Sequence, residues 1–184
     1  MTMQGKTPEV IGLLSHIHEM FRPLQIAHVA LHRHNNGQVS IAEDEVFPAT
    51  NDSSYCIPFE EGKSVAGLVF RDSITRYVPR IFLPAKYRWI RGIFMPHALR
   101  VKFETLEDDS EPVIQSLEME PNVLAPSPDG KFSFDSFLSI PVSSPADGTC
   151  IAVLSLDFHH CNTLKKADIA LAHYVGSSIG RIVK

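Results

Sequence analysis

The stretch TCIAVLSLDF, residues 149 to 158, constrains the chain more than any other. Read as a strand, it sends Cys150, Ala152, Leu154, Leu156 and Phe158 to one face and Ile151, Val153, Ser155 and Asp157 to the other, because successive side chains of a strand point to opposite sides. A strand with one face in water alternates cleanly between apolar and polar positions, and this one is apolar on one side and mixed on the other. It is therefore expected in the middle of a sheet that is covered on both faces.

The remaining elements supply the sheet and one cover. FLSIPV ahead of the turn at Asp147-Gly148 reads as the antiparallel partner of that strand, and IAHVALHRHNNGQVSIAED as a hairpin, since Asn-Gly accepts the positive φ values of a tight turn. Upstream, Val10, Leu14, Ile17, Phe21 and Leu24 recur at four- and three-residue spacing, with Thr7 suited to the N-cap and Pro8 to the first turn, so an amphipathic helix is expected up to Pro23. EEGKSVAGLVF reads as a short helix with Ser64 near its start, and SITRYV as a strand. The last element is a helix in TLKKADIALAHYVGSSIGRIVK, with Thr163 as candidate N-cap and an apolar stripe at Ala172, Val175, Ile179 and Ile182. Gly176, Ser177, Ser178 and Gly180 keep it slim enough for another helix to come close. Residues 79–136 hold seven prolines and read as irregular, with one short helix around 108–119.

Composition removes several function classes. The 184 residues, 44% hydrophobic and 21% charged, are the size of one globular domain with a single core. A net charge of −4 gives no general attraction to nucleic acid, and no apolar run approaches the ~18 residues of a membrane span. With no signal-peptide pattern at its start, the chain is expected to be cytoplasmic. Cys56, Cys150 and Cys161 lack the C-x-x-C spacing of a thiolate metal site.

GKSVAGLVF, the strand ITRYV, and FLSIPVSSPADGTCIAVLSLDF running into TLKKADIALAHYVGSSIGRI together resemble the GAF family of small-molecule sensor domains. The shared pattern is a glycine-containing short helix, a strand, a strand pair ending in an apolar-Ser-apolar-Asp-apolar run, and a long closing helix. The resemblance implies a single α+β domain over residues 1–184, GAF-like and related to PAS domains. Its central antiparallel sheet has about five or six strands spanning 26–158, with an irregular insertion at 79–136. The N-terminal helix (7–22) and C-terminal helix (163–183) lie on one face, and variable loops and short helices cover a ligand pocket on the other. In many members of the family the terminal helices also form a dimer bundle, for which Leu14, Ile17, Phe21, Val175, Ile179 and Ile182 are the candidate residues; the alternative reading has both stripes pack only on their own sheet. Such a pattern specifies fold better than ligand.

Chemistry on this scaffold has few footholds in the sequence. Free methionine sulfoxide reductases are GAF-fold thiol enzymes, yet Val65-Ala66-Gly67 stands where that family carries a cysteine, and residues 79–136 contain none. Neither the cyclic-nucleotide signature nor a bilin-type cysteine context is found. His28, His32 and His34 share one strand face, but His28 and His32 lie ~13 Å apart at ~3.3 Å per residue, too far for one ion. No G-x-S-x-G elbow or glycine-rich phosphate loop is present. No metal, no cofactor and no catalytic residue is expected.

The sharpest remaining feature is charge segregation. Residues 71–102 carry eight Lys and Arg against Asp72 alone, whereas Glu104 to Asp129 is acidic without a base. One reading pairs the two blocks with each other. A second makes PAKYRWIRGIF, residues 84 to 94, a lid that selects a small anionic or aromatic molecule, and a third makes it a docking surface for an acidic partner. Expected ligand contacts are then Tyr77, Tyr87, Arg88, Trp89, Arg91, Ser139, Ser155 and Asp157. The function expected is a non-enzymatic sensory domain that passes its signal through the terminal helices, a partner protein or a fused output domain. Free methionine sulfoxide reduction and a degenerate fold serving protein assembly are the alternatives.

Overall fold

In the computed structural model, residues 8–35, 38–49, 59–62, 64–79, 99–106, 113–119, 135–160 and 164–183 are described. The strand singled out above, Cys150–Phe158 (β8), pairs with Ser136–Ser143 (β7) on one side and with Ile26–Asn35 (β1) on the other, both antiparallel. Outward from β1 come Gln38–Phe47 (β2) and the short Phe59–Glu60 (β3). Outward from β7 come Thr75–Val78 (β4), Leu99–Leu106 (β5) and Val113–Met119 (β6). Among the described residues the sheet therefore has eight strands, in the order β3-β2-β1-β8-β7-β4-β5-β6.

Two helices cover one face, Pro8–Phe21 (α1) and Lys166–Ile182 (α3). Val10, Leu14, Ile17 and Phe21 of α1 and Ala172, Val175 and Ile179 of α3 interlock with Val29, Leu31, Leu138, Ile140, Leu154, Leu156 and Phe158 of the central strands. This is the main core. The other face carries the short helix Val65–Asp72 (α2) over β7 and β8. Ser64 caps it by accepting a hydrogen bond from the Gly67 amide at 2.9 Å, so Ser64→Ala is expected to lower stability by about 1 kcal/mol, readable in chemical denaturation. None of the described helices is long and apolar enough to cross a membrane.

Several expectations are corrected. The stretch read as a short helix around 108–119 is a strand from Val113 onward, because pairing along β5 satisfies its backbone and suits the β-branched Val113-Ile114 start. That hairpin lifts the strand count from five or six to eight. Its register sets Arg100 opposite Glu118, so the end of the basic block runs beside the acidic one. The closing helix begins at Lys166, with the Asp168 carboxylate accepting the Lys165 amide at 2.8 Å; Thr163 lies outside the described residues, as does Thr7. The first helix stops at Phe21, and a 3-10 turn, Arg22–Leu24, carries the chain to Gln25.

The dimer residues are also reassigned. Leu14, Ile17, Phe21, Val175 and Ile179 are buried in the chain's own core, and of the six Ile182 alone is exposed, at 37%. Their spacing is that of a helix packing on a sheet. The glycines of α3 likewise admit a strand rather than a second helix: a Cβ on Gly180 would stand 2.2 Å from the Ser143 carbonyl oxygen. Finally, β8 bulges against β7 between Val142 and Ser143, which exchanges the first two positions of its alternation. Ile151 packs with the helix-side core and Cys150 with the α2 side.

Candidate functional site

The two faces of the central strands differ in kind. On the helix side they present leucine, isoleucine, valine and phenylalanine. On the α2 side the register aligns Ala30, Ser155, Ser139 and Arg76 across β1, β8, β7 and β4. Ser139 and Ser155 hydroxyls lie 3.1 Å apart, and His32, two residues beyond Ala30, brings Nε2 to 2.9 Å from the Ser155 Oγ. All three side chains are buried, His32 being 8% exposed. Burial lowers the His32 pKa from its ordinary 6.5 to about 4, so the ring is neutral at physiological pH.

Arg76 closes one end of this row. It is 3% exposed, and its Nη2 donates to the Asp72 carboxylate at 2.5 Å while Nη1 reaches the Ile74 carbonyl at 3.3 Å. Asp72, the last residue of α2, also accepts from Nε of exposed Arg71 at 2.6 Å. The Arg71 hydrogen bond foremost, with Arg76 behind it, holds the Asp72 carboxyl below its usual range against the opposing effect of burial. Helix α2 is thus tied to β4 by an ion pair and to β8 by Ala66 and Val69 packing on Val153. Asp157 faces the same side, opposite Phe137 on β7 and His28 on β1, and is buried.

The expected ligand contacts divide three ways. Ser139, Ser155 and Asp157 come together on one side of β7 and β8. Tyr77 does not join them: it packs in the helix-side core, because its neighbour Arg76 takes the α2 side and a strand alternates. Tyr87, Arg88, Trp89 and Arg91 lie outside the described residues. His32 and Arg76 were missed. Their signals were an arginine inside the otherwise uncharged strand TRYV and the shared parity of His28, His32 and His34.

The histidines are engaged separately. While His32 meets Ser155, His34 stacks on Phe70 with ring centroids 4.7 Å apart and pairs with Glu61 at 2.6 Å. Among the described residues no group of three or more His, Cys, Asp or Glu is placed to hold a metal ion. Ser155 and His32 form a hydroxyl–imidazole pair, but an imidazole with a pKa near 4 is a weak base for removing a hydroxyl proton near pH 7. Cys150 donates its thiol to the Ala152 carbonyl, and burial raises its pKa to about 11, so it is a protonated thiol rather than a nucleophilic thiolate. Cys56 and Cys161 are outside the described residues. Among the described residues, the Ser139–Ser155–His32 arrangement is a set of buried hydrogen bonds.

No protein-family model and no curated protein sequence matches the chain. Solved structures do. A GAF domain of a phosphoenolpyruvate-protein phosphotransferase from Coxiella burnetii superposes with a TM-score of 0.59 at 11% identity, covering 95% of this chain and 82% of that one. The free methionine-R-sulfoxide reductase of Neisseria meningitidis, solved with its substrate, gives 0.56 at 14% identity over 96% and 78%. The GAF domain of a sensor histidine kinase from Bacillus halodurans gives 0.53 at 10% identity over 92% and 90%. At such identities the likeness establishes a common fold. The chain has the GAF fold, which these structures share between sensory domains and enzymes.

Proposed function

We propose that this GAF-fold chain is a cytoplasmic sensory or regulatory domain that binds a small molecule on the α2 side of its sheet and relays occupancy without turning the molecule over. The observation that carries this reading is the buried polar row Ser155–Ser139–Arg76, with His32, in the middle of a sheet whose opposite face is mainly apolar there. Burying such groups costs free energy that leucine or valine would not. A row kept at that cost on the face away from the terminal helices is what a recognition surface needs. The connection from β4 to β5 contains Tyr87, Arg88, Trp89 and Arg91, whose cations and π-faces suit an anionic or aromatic part of the ligand. α1 and α3, packed on the reverse of the same strands, are the natural route for the signal to a second copy, a partner protein or a fused output domain.

Native mass spectrometry of the purified chain, followed by a thermal-shift screen, tests this. A bound or stabilising small molecule is expected, with affinity reduced about tenfold or more by Trp89→Ala, since a stacked aromatic contributes on the order of 1–3 kcal/mol. A protein that stays empty and answers to no small molecule sinks the proposal.

The likeness to free methionine-R-sulfoxide reductases favours a second reading, thiol-dependent reduction. The protonated, hydrogen-bonded Cys150 speaks against that cysteine as nucleophile. Turnover of free methionine sulfoxide with a thiol reductant would establish the enzyme and displace the sensor.

A further inference from the structure

Helix α2 and strand β4 are joined by two residues, Ser73 and Ile74, and the joint is braced. Ser73 takes a left-handed turn at φ 57°, and its amide donates to the Val69 carbonyl at 2.8 Å, which ends the helix. Across the joint Arg76 Nη2 donates to Asp72 at 2.5 Å, and Nη1 to the Ile74 carbonyl at 3.3 Å. An arginine side chain in water would absorb a movement of α2 by changing rotamer. This one is buried and its planar fork is held to the backbone of the joint itself, so Asp72, the guanidinium and the start of β4 move together.

The other side of β4 is tied to α3. Thr75, next to Arg76 and so turned to the opposite face, is buried, and its Oγ1 lies 3.0 Å from His173 Nε2. Threonine is branched at Cβ and stiff at χ1, so this oxygen follows the backbone of β4 closely. α3 is seated on β7, where Gly176 stands over the Pro141 carbonyl and Gly180 over that of Ser143. Its hydrogen bond with Thr75 reaches past β7 to the next strand. Consecutive residues of β4 thus hold polar contacts with both covering layers. α1, by contrast, packs over β1 and β2, beyond β8.

We propose that the α2–β4 joint is the relay of this domain: a displacement of α2 moves β4 and, through Thr75 and His173, reaches α3 in preference to α1. That a ligand supplies the displacement rests on the reading of this side as a sensory site; the coupling itself belongs to the folded chain. Arg76, Thr75 and His173 act here as positioning residues.

Native-state hydrogen exchange of the full chain, read by NMR near neutral pH without added ligand, tests the coupling. Asp72→Asn is expected to speed exchange of the α3 amides from Leu171 to Ser178 by about threefold or more relative to those of α1. Sites on opposite faces of a sheet that share no partner ordinarily act independently. In a His173→Ala background the same substitution is expected to leave the ratio of α3 to α1 exchange unchanged, and in His173→Gln, whose side-chain amide can still meet Thr75, to raise it again. Should Asp72→Asn fail to fold, Arg76→Lys, which keeps the charge and loses the fork, takes its place. Equal or no acceleration in α3 and α1, or an α3 response that survives His173→Ala, overturns the relay and leaves the sensory reading standing. A chain that carries and answers to no small molecule removes the sensory reading instead, while the coupling of α2 to α3 stands or falls by the exchange rates.

Discussion

Gly180→Ala is expected to destabilise the chain by about 3 kcal/mol, lowering Tm by roughly 5–10 °C, although alanine is the better helix former by about 1 kcal/mol. The new Cβ would lie 2.2 Å from the Ser143 carbonyl oxygen and 3.3 Å from its carbon, both backbone atoms at the end of β7. Neither can rotate away. Relief requires α3 to lift by about an ångström, which loosens Val175, Ile179 and Ala172 from Ile140, Val142 and Leu154 beneath them. Gly176→Ala is the control. Its Cβ would meet Ile140 Cγ2 at 3.6 Å and the Pro141 carbonyl oxygen at 3.7 Å, which are ordinary contacts, so propensity wins and stability is expected to rise by up to about 1 kcal/mol. Equal melting temperatures for Gly180→Ala and wild type would show that the helix does not lie this close to the strand.

The second large effect is acid lability through His32. In the unfolded chain this imidazole takes up a proton near its ordinary 6.5, and in the folded chain only near 4. Between those values the unfolded state binds more protons, so stability rises with pH and is lost as pH falls through that window. A gap of this size amounts to about 3 kcal/mol by pH 4, on the order of 1.4 kcal/mol per unit. Urea denaturation at a series of pH values measures it. His32→Gln keeps a neutral hydrogen-bonding group next to Ser155 and is expected to flatten the slope between pH 6.5 and 4. An unchanged slope in that variant would mean that His32 is protonated in the folded protein at mild acidity. Asp72 acts in a separate window: its folded carboxyl is held below the ordinary 3.8, so its contribution is present above that value and is lost only at lower pH.

These two sites illustrate different depths of legibility. The small residues of α3 were plain in GSSIGRI, but not the surface they approach, since a glycine states only that something comes close. The histidine parity of β1 was equally plain. Whether His32 would face water, a metal ion or a serine depended on which strand lay beside it, and the Ser155 partner comes from a strand 123 positions further along the chain.

Periodicity alone determined the elements whose partners are local or whose pattern is strong: the amphipathic α1, the pairing of β1 with β2, the turn at Asp147-Gly148, and β8 as a strand covered on both sides. It also determined the GAF pattern, because that pattern is an order of elements with a few fixed residue types. Tertiary structure decided the rest. Val113–Met119 became a strand because β5 was there to pair with it, and Cys150 and Ile151 exchanged faces because β8 carries one residue more than β7 at the bulge. Arg76 became the buried half of an ion pair because α2 ends where its guanidinium can reach Asp72. The physical reason is common to all three: a pattern fixes which face of an element is apolar, whereas a backbone ladder, a bulge or a buried charge is fixed only by what stands opposite.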